Sequence, residues 1–288
     1  MKMLIIGGSE FVGPLVVSRL YERGHDITVF NRGRTKIEYQ KGVNFIKGDR
    51  RDGFNIKENF DVVIDMCAYK GEHIKKAINE LNFDFYLNIG TAASYKKTTI
   101  FPLTEESEIG DWPLWNYVFG GYNKGKMECE KVLQKSGINH ATIRPVYILG
   151  KNNNVDREHY VYSRIKNKQP LILPGDGKAK VQFVFSQDVA DSIVLLAERK
   201  LEGNFNCAGD EVVILEEFVE IMADIVGVNP EIRYNPNADG EKHNLSEFPF
   251  ANENFYCTND KLKKLRIKFT PLISGLKKDY EEYYKNVI

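Results

Sequence analysis

The chain has 288 residues, 42% of them hydrophobic, and its 40 Lys+Arg balance 40 Asp+Glu for a net charge of zero. That length suits one large α/β domain or two smaller ones with a core of their own, and the charge balance argues against a general nucleic-acid surface. The four cysteines (Cys67, Cys129, Cys207, Cys257) are far apart with no CxxC spacing, as expected of free thiols in a reducing compartment. No apolar run reaches membrane-spanning length. The N-terminus enters an apolar stretch directly, so no secretory leader is expected and the chain reads as cytoplasmic. The histidines are dispersed and no metal-ligand spacing or internal repeat is present.

In chain order, Met3-Leu4-Ile5-Ile6 predicts a short buried strand. Gly7-Gly8-Ser9-Glu10-Phe11-Val12-Gly13 follows as a tight turn, and Val12 to Arg23, closed by Gly24, is amphipathic. Strand, glycine turn and helix in this order open a dinucleotide-binding βαβ unit. Gly7 is expected to take the sharp turn, Gly8 to leave room for a cofactor, and Gly13 to let the helix approach the sheet. The helix N-terminus offers N–H groups and partial positive charge to a pyrophosphate. Gly7, Gly8, Glu10, Phe11, Val12 and Gly13 are therefore candidate cofactor contacts. Glu10 is the awkward member, because a carboxylate beside phosphate must turn away or meet a cation. The competing reading is an α/β turn that binds nothing.

A second strand, Asp26 to Phe30, ends in Asn31-Arg32-Gly33-Arg34. About 20 residues past the glycines an acid normally binds the ribose hydroxyls when NAD is used. Here two arginines flank a glycine instead, and guanidinium forks suit a 2′-phosphate. This favours NADP over NAD, with Asn31, Arg32 and Arg34 as contacts; solvated loop arginines are the other reading. Val43 to Ile46 is a third strand, followed by Gly48-Asp49-Arg50-Arg51. There Asp49 could accept a bond from an adenine amino group and Arg50 could stack on the ring, unless the turn is simply solvated. Val62 to Met66 leads to Cys67-Ala68-Tyr69, a helix spans Glu72 to Leu81, and Phe85 to Ile89 ends in Gly90-Thr91-Ala92-Ala93-Ser94-Tyr95. This alternation predicts a doubly wound parallel sheet, with ligands at the carboxyl ends of the strands. The glycine turn, Asn31–Arg34, Asp49–Arg51, Cys67–Tyr69 and Thr91–Tyr95 all fall on that edge.

Residues 96–121 read as a long loop holding Trp112 and Trp115, and Tyr122 to Leu133 as a helix that Gly137 ends. Tyr122 and Lys126 are four apart and share a helix face. An ammonium nearby favours the phenolate, so Tyr122 could exchange a proton with a substrate hydroxyl or carbonyl while Thr91 holds the same oxygen. Taken alone, the pair is equally an exposed helix pair.

The order of the glycine turn, the Thr91 strand end and this helix resembles the short-chain dehydrogenase/reductase superfamily, in particular its extended, NAD(P)-dependent epimerase/dehydratase-like branch. The resemblance runs over nearly the whole chain. Gly7-Gly8-x-x-Phe11-x-Gly13 resembles the cofactor turn of atypical members, and Ile89 to Tyr95 resembles the family's strand end with Thr91 at the Ser/Thr position. Tyr122-x-x-x-Lys126 matches the active-site pair. Ile143 to Gly150 looks like the strand into the substrate domain, and Phe183 to Ala190 like the start of the returning helix. The resemblance implies an α/β Rossmann fold with a smaller C-terminal α/β substrate domain. Residues 1–150 and 181–208 would bind the dinucleotide, and 151–180 and 209–288 the substrate. Tyr122 would be the acid/base. Lys126 would bind the nicotinamide ribose and tune Tyr122, and Thr91 would orient the substrate. The reaction would be oxidoreduction or epimerisation at a hydroxyl/carbonyl carbon, of a nucleotide sugar for instance. Helices 72–81 and 122–136 would form a four-helix contact between two copies.

Three departures stand out: Glu10 in the phosphate turn, Gly90 for a usual serine, and Ala92-Ala93 after Thr91 where the family's dehydratases carry Asp-Glu. The glycine turn and the Asn-Arg-Gly stretch also resemble chloroplast stem-loop RNA-binding relatives, so a non-catalytic RNA-binding or NADP-sensing protein is the competing expectation. Farther along, a helix is expected near His159–Lys168 and a turn at Pro174–Gly177. Arg157, His159 and Lys178 are candidate contacts for an anionic group or solvated surface. Val213 to Val226 reads as an amphipathic helix, 235–254 as a mobile loop, and Leu276 to Tyr284 as a charged helix.

Overall fold

Both faces of the first strand are apolar, and that decides where it lies. In β1 (Lys2–Ile6), Met3 and Ile5 join the core on one side of the sheet and Leu4 and Ile6 the core on the other. A strand covered on both faces belongs inside a parallel sheet. The computed structural model, which describes residues 1–112, 121–155, 157–238 and 246–288, puts it there. The chain continues through α1 (Val12–Glu22), β2 (Asp26–Asn31), β3 (Asn44–Lys47), β4 (Asn59–Asp65), α2 (Gly71–Glu80) and β5 (Asn82–Ile89). Then come α3 (Tyr122–Ser136), β6 (His140–Pro145), β7 (Tyr147–Leu149), α4 (Glu158–Lys166), β8 (Leu171–Pro174), β9 (Lys180–Phe185), α5 (Ser186–Arg199) and β10 (Gly203–Cys207). Among the described residues, the large sheet has 7 strands in the order β10-β6-β5-β4-β1-β2-β3, and all its pairs are parallel. The order reverses between β1 and β4. Their carboxyl ends therefore diverge into a crevice, the place where open α/β sheets bind ligands.

The second region is smaller. β11 (Val212–Ile214) pairs antiparallel with β9, and β9 pairs with β7; β12 (Ile232–Asn235) pairs with β8. The helices α6 (Leu215–Val226), α7 (Asp260–Lys264) and α8 (Leu272–Asp279) complete it. One apolar core cluster runs without a break from Val16 and Val29 under the large sheet to Phe218 and Phe250 beside the small ones.

Several expectations are corrected here. Phe183–Phe185 ends a strand, and the returning helix starts at Ser186. Val212–Ile214 is a strand, so the amphipathic helix begins at Leu215. The stretch 96–112 is not an open loop: Tyr95 bridges Ile109, Leu103 bridges Cys257, and Trp112 is fully buried edge-on to Phe255. Trp115 lies outside the described residues, as do 239–245 of the expected mobile loop, whose later part buries Phe248, Phe250 and Ala251. In each case an apolar side chain found a long-range partner that local composition does not announce. Helix α3 agrees with its expectation and is closed by Gly137 in the left-handed region. The outward faces of α2 and α3 carry Glu72, Lys75, Lys124, Glu128, Lys131 and Lys135, so a contact between copies there would be a charged one.

A buried ion pair locks α3 to the sheet. Arg144 of β6 and Glu130 of α3 are 1% and 2% exposed, and the guanidinium donates to the carboxylate from Nε at 3.2 and 3.1 Å and from Nη2 at 2.5 Å. Arg144 also donates to the Tyr95 hydroxyl at 2.9 Å, and that hydroxyl donates to Asn206 Oδ1 at 2.7 Å. Removing one partner of such a pair leaves an uncompensated charge in the core. Arg144→Met is expected to lower stability by about 3–5 kcal/mol, read from the urea midpoint at constant m-value. Arg144→Met with Glu130→Leu should recover most of that loss, because the buried carboxylate is gone as well.

Candidate functional site

The glycine turn has the geometry that its sequence requires, but for partly different reasons. Gly7 and Gly8 take φ of +99° and +76°, a region that favours glycine. A Cβ on Gly8 would press into the core, 3.1 Å from Ile5 Cγ2, rather than toward a ligand. A Cβ on Gly13 would lie 2.6 Å from Gly8 Cα, so Gly13 lets α1 sit against the turn itself. Asn31 braces the turn from β2, donating to the Gly7 carbonyl at 3.0 Å. Glu10 points away: its carboxylate accepts a 2.6 Å bond from the Thr35 hydroxyl. No side chain caps the N-terminus of α1, and no acid occupies its first turn. The Gly13 N–H is taken by the Glu10 carbonyl at 2.9 Å and Pro14 has none, so what this end offers an anion is chiefly the helix dipole. Phe11 precedes the helix and reaches into the neighbouring cavity, and Val12 packs into the core. These features fit a dinucleotide pyrophosphate.

Arg32 and Arg34 are exposed at the end of β2 and make no ion pair among the described residues. Asp49 is held by Arg51, which donates to it from Nε at 3.1 Å and from Nη2 at 2.7 Å, and that bond keeps its carboxyl well below the usual range. The expected adenine stack of Arg50 is corrected. Arg50 is 8% exposed, its guanidinium paired at 2.5 Å with the fully buried Asp65, which also accepts the Tyr86 hydroxyl. An unpaired carboxylate at Asp65 would be untenable in the core, so Arg50 turns inward. Cys67 follows Asp65 at the crevice, its Sγ 3.2 Å from where a Gly7 Cβ would stand. Burial pushes the Cys67 thiol up to about 11, and Ala68 beside it is fully buried.

Next to this turn a cavity of about 380 Å³ is lined by Phe11, Tyr69, Thr91, Tyr122, Lys126 and Arg157, among others. It therefore brings Thr91 together with Tyr122 and Lys126, 31 and 35 positions farther along the chain. Thr91 Oγ1 accepts a 3.2 Å bond from the Ala93 amide, which leaves its own O–H as a donor. Lys126 is 1% exposed and donates to the Ile89 carbonyl at 2.6 Å. Its ammonium lies 4.8 Å from the centre of the Tyr69 ring and 5.6 Å from that of Tyr122. Burial pushes Tyr122 up to about 12, and the cation acting against that shift is Arg157. Lys126 Nζ, held at the Ile89 carbonyl, is not among the charges that move Tyr122 in this arrangement.

Gly125 escaped the sequence reading, whereas Tyr69 was read only as part of the ligand edge and Arg157 as one of three candidate anion contacts. Tyr69 stands across from Tyr122, ring centres 5.9 Å apart. Arg157 lines the cavity, whereas Lys178 is exposed and lines neither this cavity nor its neighbour. Gly125 sits between the two active-site candidates on α3, where a Cβ would fall 2.0 Å from the Tyr69 carbonyl oxygen. A glycine inside a helix, at a cost of about 1 kcal/mol relative to alanine, was the available signal. Gly90 has a similar basis: a Cβ there would meet Thr142 Cγ2 at 2.7 Å and Glu130 Oε1 at 3.2 Å, which explains why the usual serine is absent.

The sequence profile of the NAD dependent epimerase/dehydratase family matches residues 3–80 and 70–208. The chain belongs to this family. It is 29% identical over 305 residues to chloroplast stem-loop binding protein of 41 kDa b from Arabidopsis thaliana, covering 97% of this chain and 78% of that protein. It is 22% identical over 297 residues to UDP-glucose 4-epimerase from Lactobacillus helveticus, covering 85% and 88%. Its fold is similar to that of UDP-glucuronic acid 4-epimerase from Bacillus cereus in complex with NAD, with a TM-score of 0.80, 15% identity, and 100% and 99% of the two chains covered. Among the described residues no helix is long and apolar enough to cross a membrane.

Gly125→Ala is expected to destabilise the protein by about 1–3 kcal/mol, since overpacking against a backbone carbonyl outweighs the helix propensity gained. It should also lower turnover, because α3 must shift with Tyr122 and Lys126 on it. Urea denaturation and a turnover assay check the two effects.

Proposed function

We propose that the protein is an NAD(P)-dependent oxidoreductase or epimerase acting at a hydroxyl-bearing carbon of a nucleotide sugar. The observation that carries this reading is the meeting of Thr91, Tyr122 and Lys126 in one cavity beside the uncapped N-terminus of α1. The nicotinamide, when bound, supplies reversible hydride transfer at the substrate carbon. Tyr122 exchanges the proton of the substrate oxygen through its hydroxyl, and the Thr91 hydroxyl orients that oxygen. Lys126 would hold the nicotinamide ribose, and its charge near Tyr122 would oppose the rise in pKa that burial causes. The strand end beyond Thr91 is apolar, with Ala92 and Ala93 at 0% and 6% exposure. It offers no second carboxyl pair for elimination, which favours epimerisation or simple oxidoreduction over dehydration.

Arg32 and Arg34 favour NADP within this reading. Asn31 serves as a brace for the turn. A second copy would pack on the charged faces of α2 and α3, through a contact that weakens with salt.

One observation favours a second reading: the relative with 29% identity is named as a stem-loop binding protein. A non-catalytic RNA-binding protein would retain RNA at low salt with a steep salt dependence. The zero net charge speaks against it.

Titration with NADPH and NADH, followed by nicotinamide fluorescence, is expected to show tighter NADPH binding; tighter NADH binding would overturn the arginine reading. Tyr122→Phe should keep the cofactor affinity while lowering turnover by about 10²–10⁴-fold. Undiminished turnover in that variant would dismiss the acid/base role.

A further inference from the structure

The proposed reaction leaves one charged group of the cavity unused. Arg157 stands just before α4 and lines the cavity that holds Thr91, Tyr122 and Lys126. It also borders a second cavity of about 200 Å³ lined by His159 and Tyr283, as do Asn153 and Val155. Its guanidinium carbon lies 5.0 Å from the centre of the Tyr147 ring and 5.8 Å from that of Phe250. Aromatic faces steady a guanidinium but satisfy few of its forked N–H donors.

Its Nε is buried with no hydrogen-bond partner. No carboxylate among the described residues pairs with Arg157. The adjacent Glu158 turns its oxygens to the Gly150 amide at 2.5 Å and to the Asn153 side-chain amide at 2.9 Å. Burial also pushes the Glu158 carboxyl up to about 7, so it is only partly charged at neutral pH. Lys126, the other cation lining the cavity, is tied to the Ile89 carbonyl. Glu158 acts on Arg157 through space without a hydrogen bond among the described residues, so the buried Nε–H keeps an unmet donor that an incoming oxyanion can satisfy.

Resting on the nucleotide-sugar reading above, we propose that Arg157 is a specificity-determining residue that binds an oxyanion of the substrate, either a carboxylate on the reacting sugar or the diphosphate that carries it. The forked donors match both groups, and the position beside Tyr122 places the anion at the reactive end of the cavity.

The test measures binding by calorimetry on cofactor-saturated protein, with UDP-glucose, UDP-glucuronate, UDP and malonate as probes. Wild type is compared with Arg157→Met, which keeps the side-chain stem over Tyr147, and with Arg157→Lys, which keeps the charge without the fork. Circular dichroism and cofactor affinity report whether each variant is folded. Loss of a charge-assisted pair is expected to weaken binding by about tenfold or more in Arg157→Met, with partial recovery in Arg157→Lys. If the carboxylate is the anion, UDP-glucuronate weakens and UDP-glucose does not. If the diphosphate is the anion, all three uridine ligands weaken alike. Should Arg157→Met fail to fold, a smaller loss in the same pattern for Arg157→Lys supports the proposal, and unchanged affinities overturn it. Malonate bound by wild type and lost in Arg157→Met, with no uridine ligand bound by either, keeps the oxyanion site and dismisses the nucleotide-sugar reading. Equal affinities of wild type and Arg157→Met for every probe, or no binding of any probe to wild type, overturn the proposal.

Discussion

The buried pair of Arg144 with Glu130 is the constraint on which the rest of the site depends. Glu130 lies on the helix that carries Tyr122 and Lys126, and Arg144 lies on the strand next to the one that ends at Thr91. Through Tyr95 and Asn206 the same guanidinium reaches the strand end beyond Thr91 and the last strand of the large sheet. Thr91 and Tyr122, which act on one oxygen in the proposed reaction, are thereby referred to a common anchor. A charge pair at this depth gains little net stability over apolar residues of the same shape. What it supplies is direction, because a forked guanidinium accepts few orientations of its partners.

Close backbone approach is the second constraint. Gly13 against Gly8, and Gly125 against the Tyr69 carbonyl, are places where one element touches another with no room for a side chain. The first sets the N-terminus of α1 against the glycine turn. The second sets α3 against the crevice, which puts Lys126 within 4.8 Å of Tyr69 and 5.6 Å of Tyr122. Helix α3 is held by an ion pair on one side and a glycine contact on the other, so its position does not rest on its own propensity.

The electrostatics of the cavity follow from that packing. Lys126 is bound by a backbone carbonyl, burial raises the pKa of Tyr122, and Arg157 lies among aromatic rings with its Nε buried and unbonded. Each of these charges lies close enough to Tyr122 or its cavity that a change in its partners changes the affinity of Tyr122 for its proton.

Much of the fold was legible in the chain itself. The apolar run Met3–Ile6, the glycines after it and the alternation of strands with helices define a doubly wound parallel sheet, because strand burial, turn conformation and crossover handedness are local or near-local matters. The candidate residues Thr91, Tyr122 and Lys126 were readable for the same reason, as they sit at a strand end and on one helix face. Tertiary structure alone decided the rest. Arg50 looked like a ring-stacking arginine until Asp65 and Tyr86 were found beneath it. The segments 96–112 and 246–254 looked like loops until Trp112 was found against Phe255, and Phe250 against Tyr147 and Phe218. Arg157 looked like surface until its neighbours proved to be Tyr147 and Phe250. Sequence determines what a residue can do chemically; which partner neutralises a charge, and how deeply it is buried, depends on groups distant in the chain that only packing brings together.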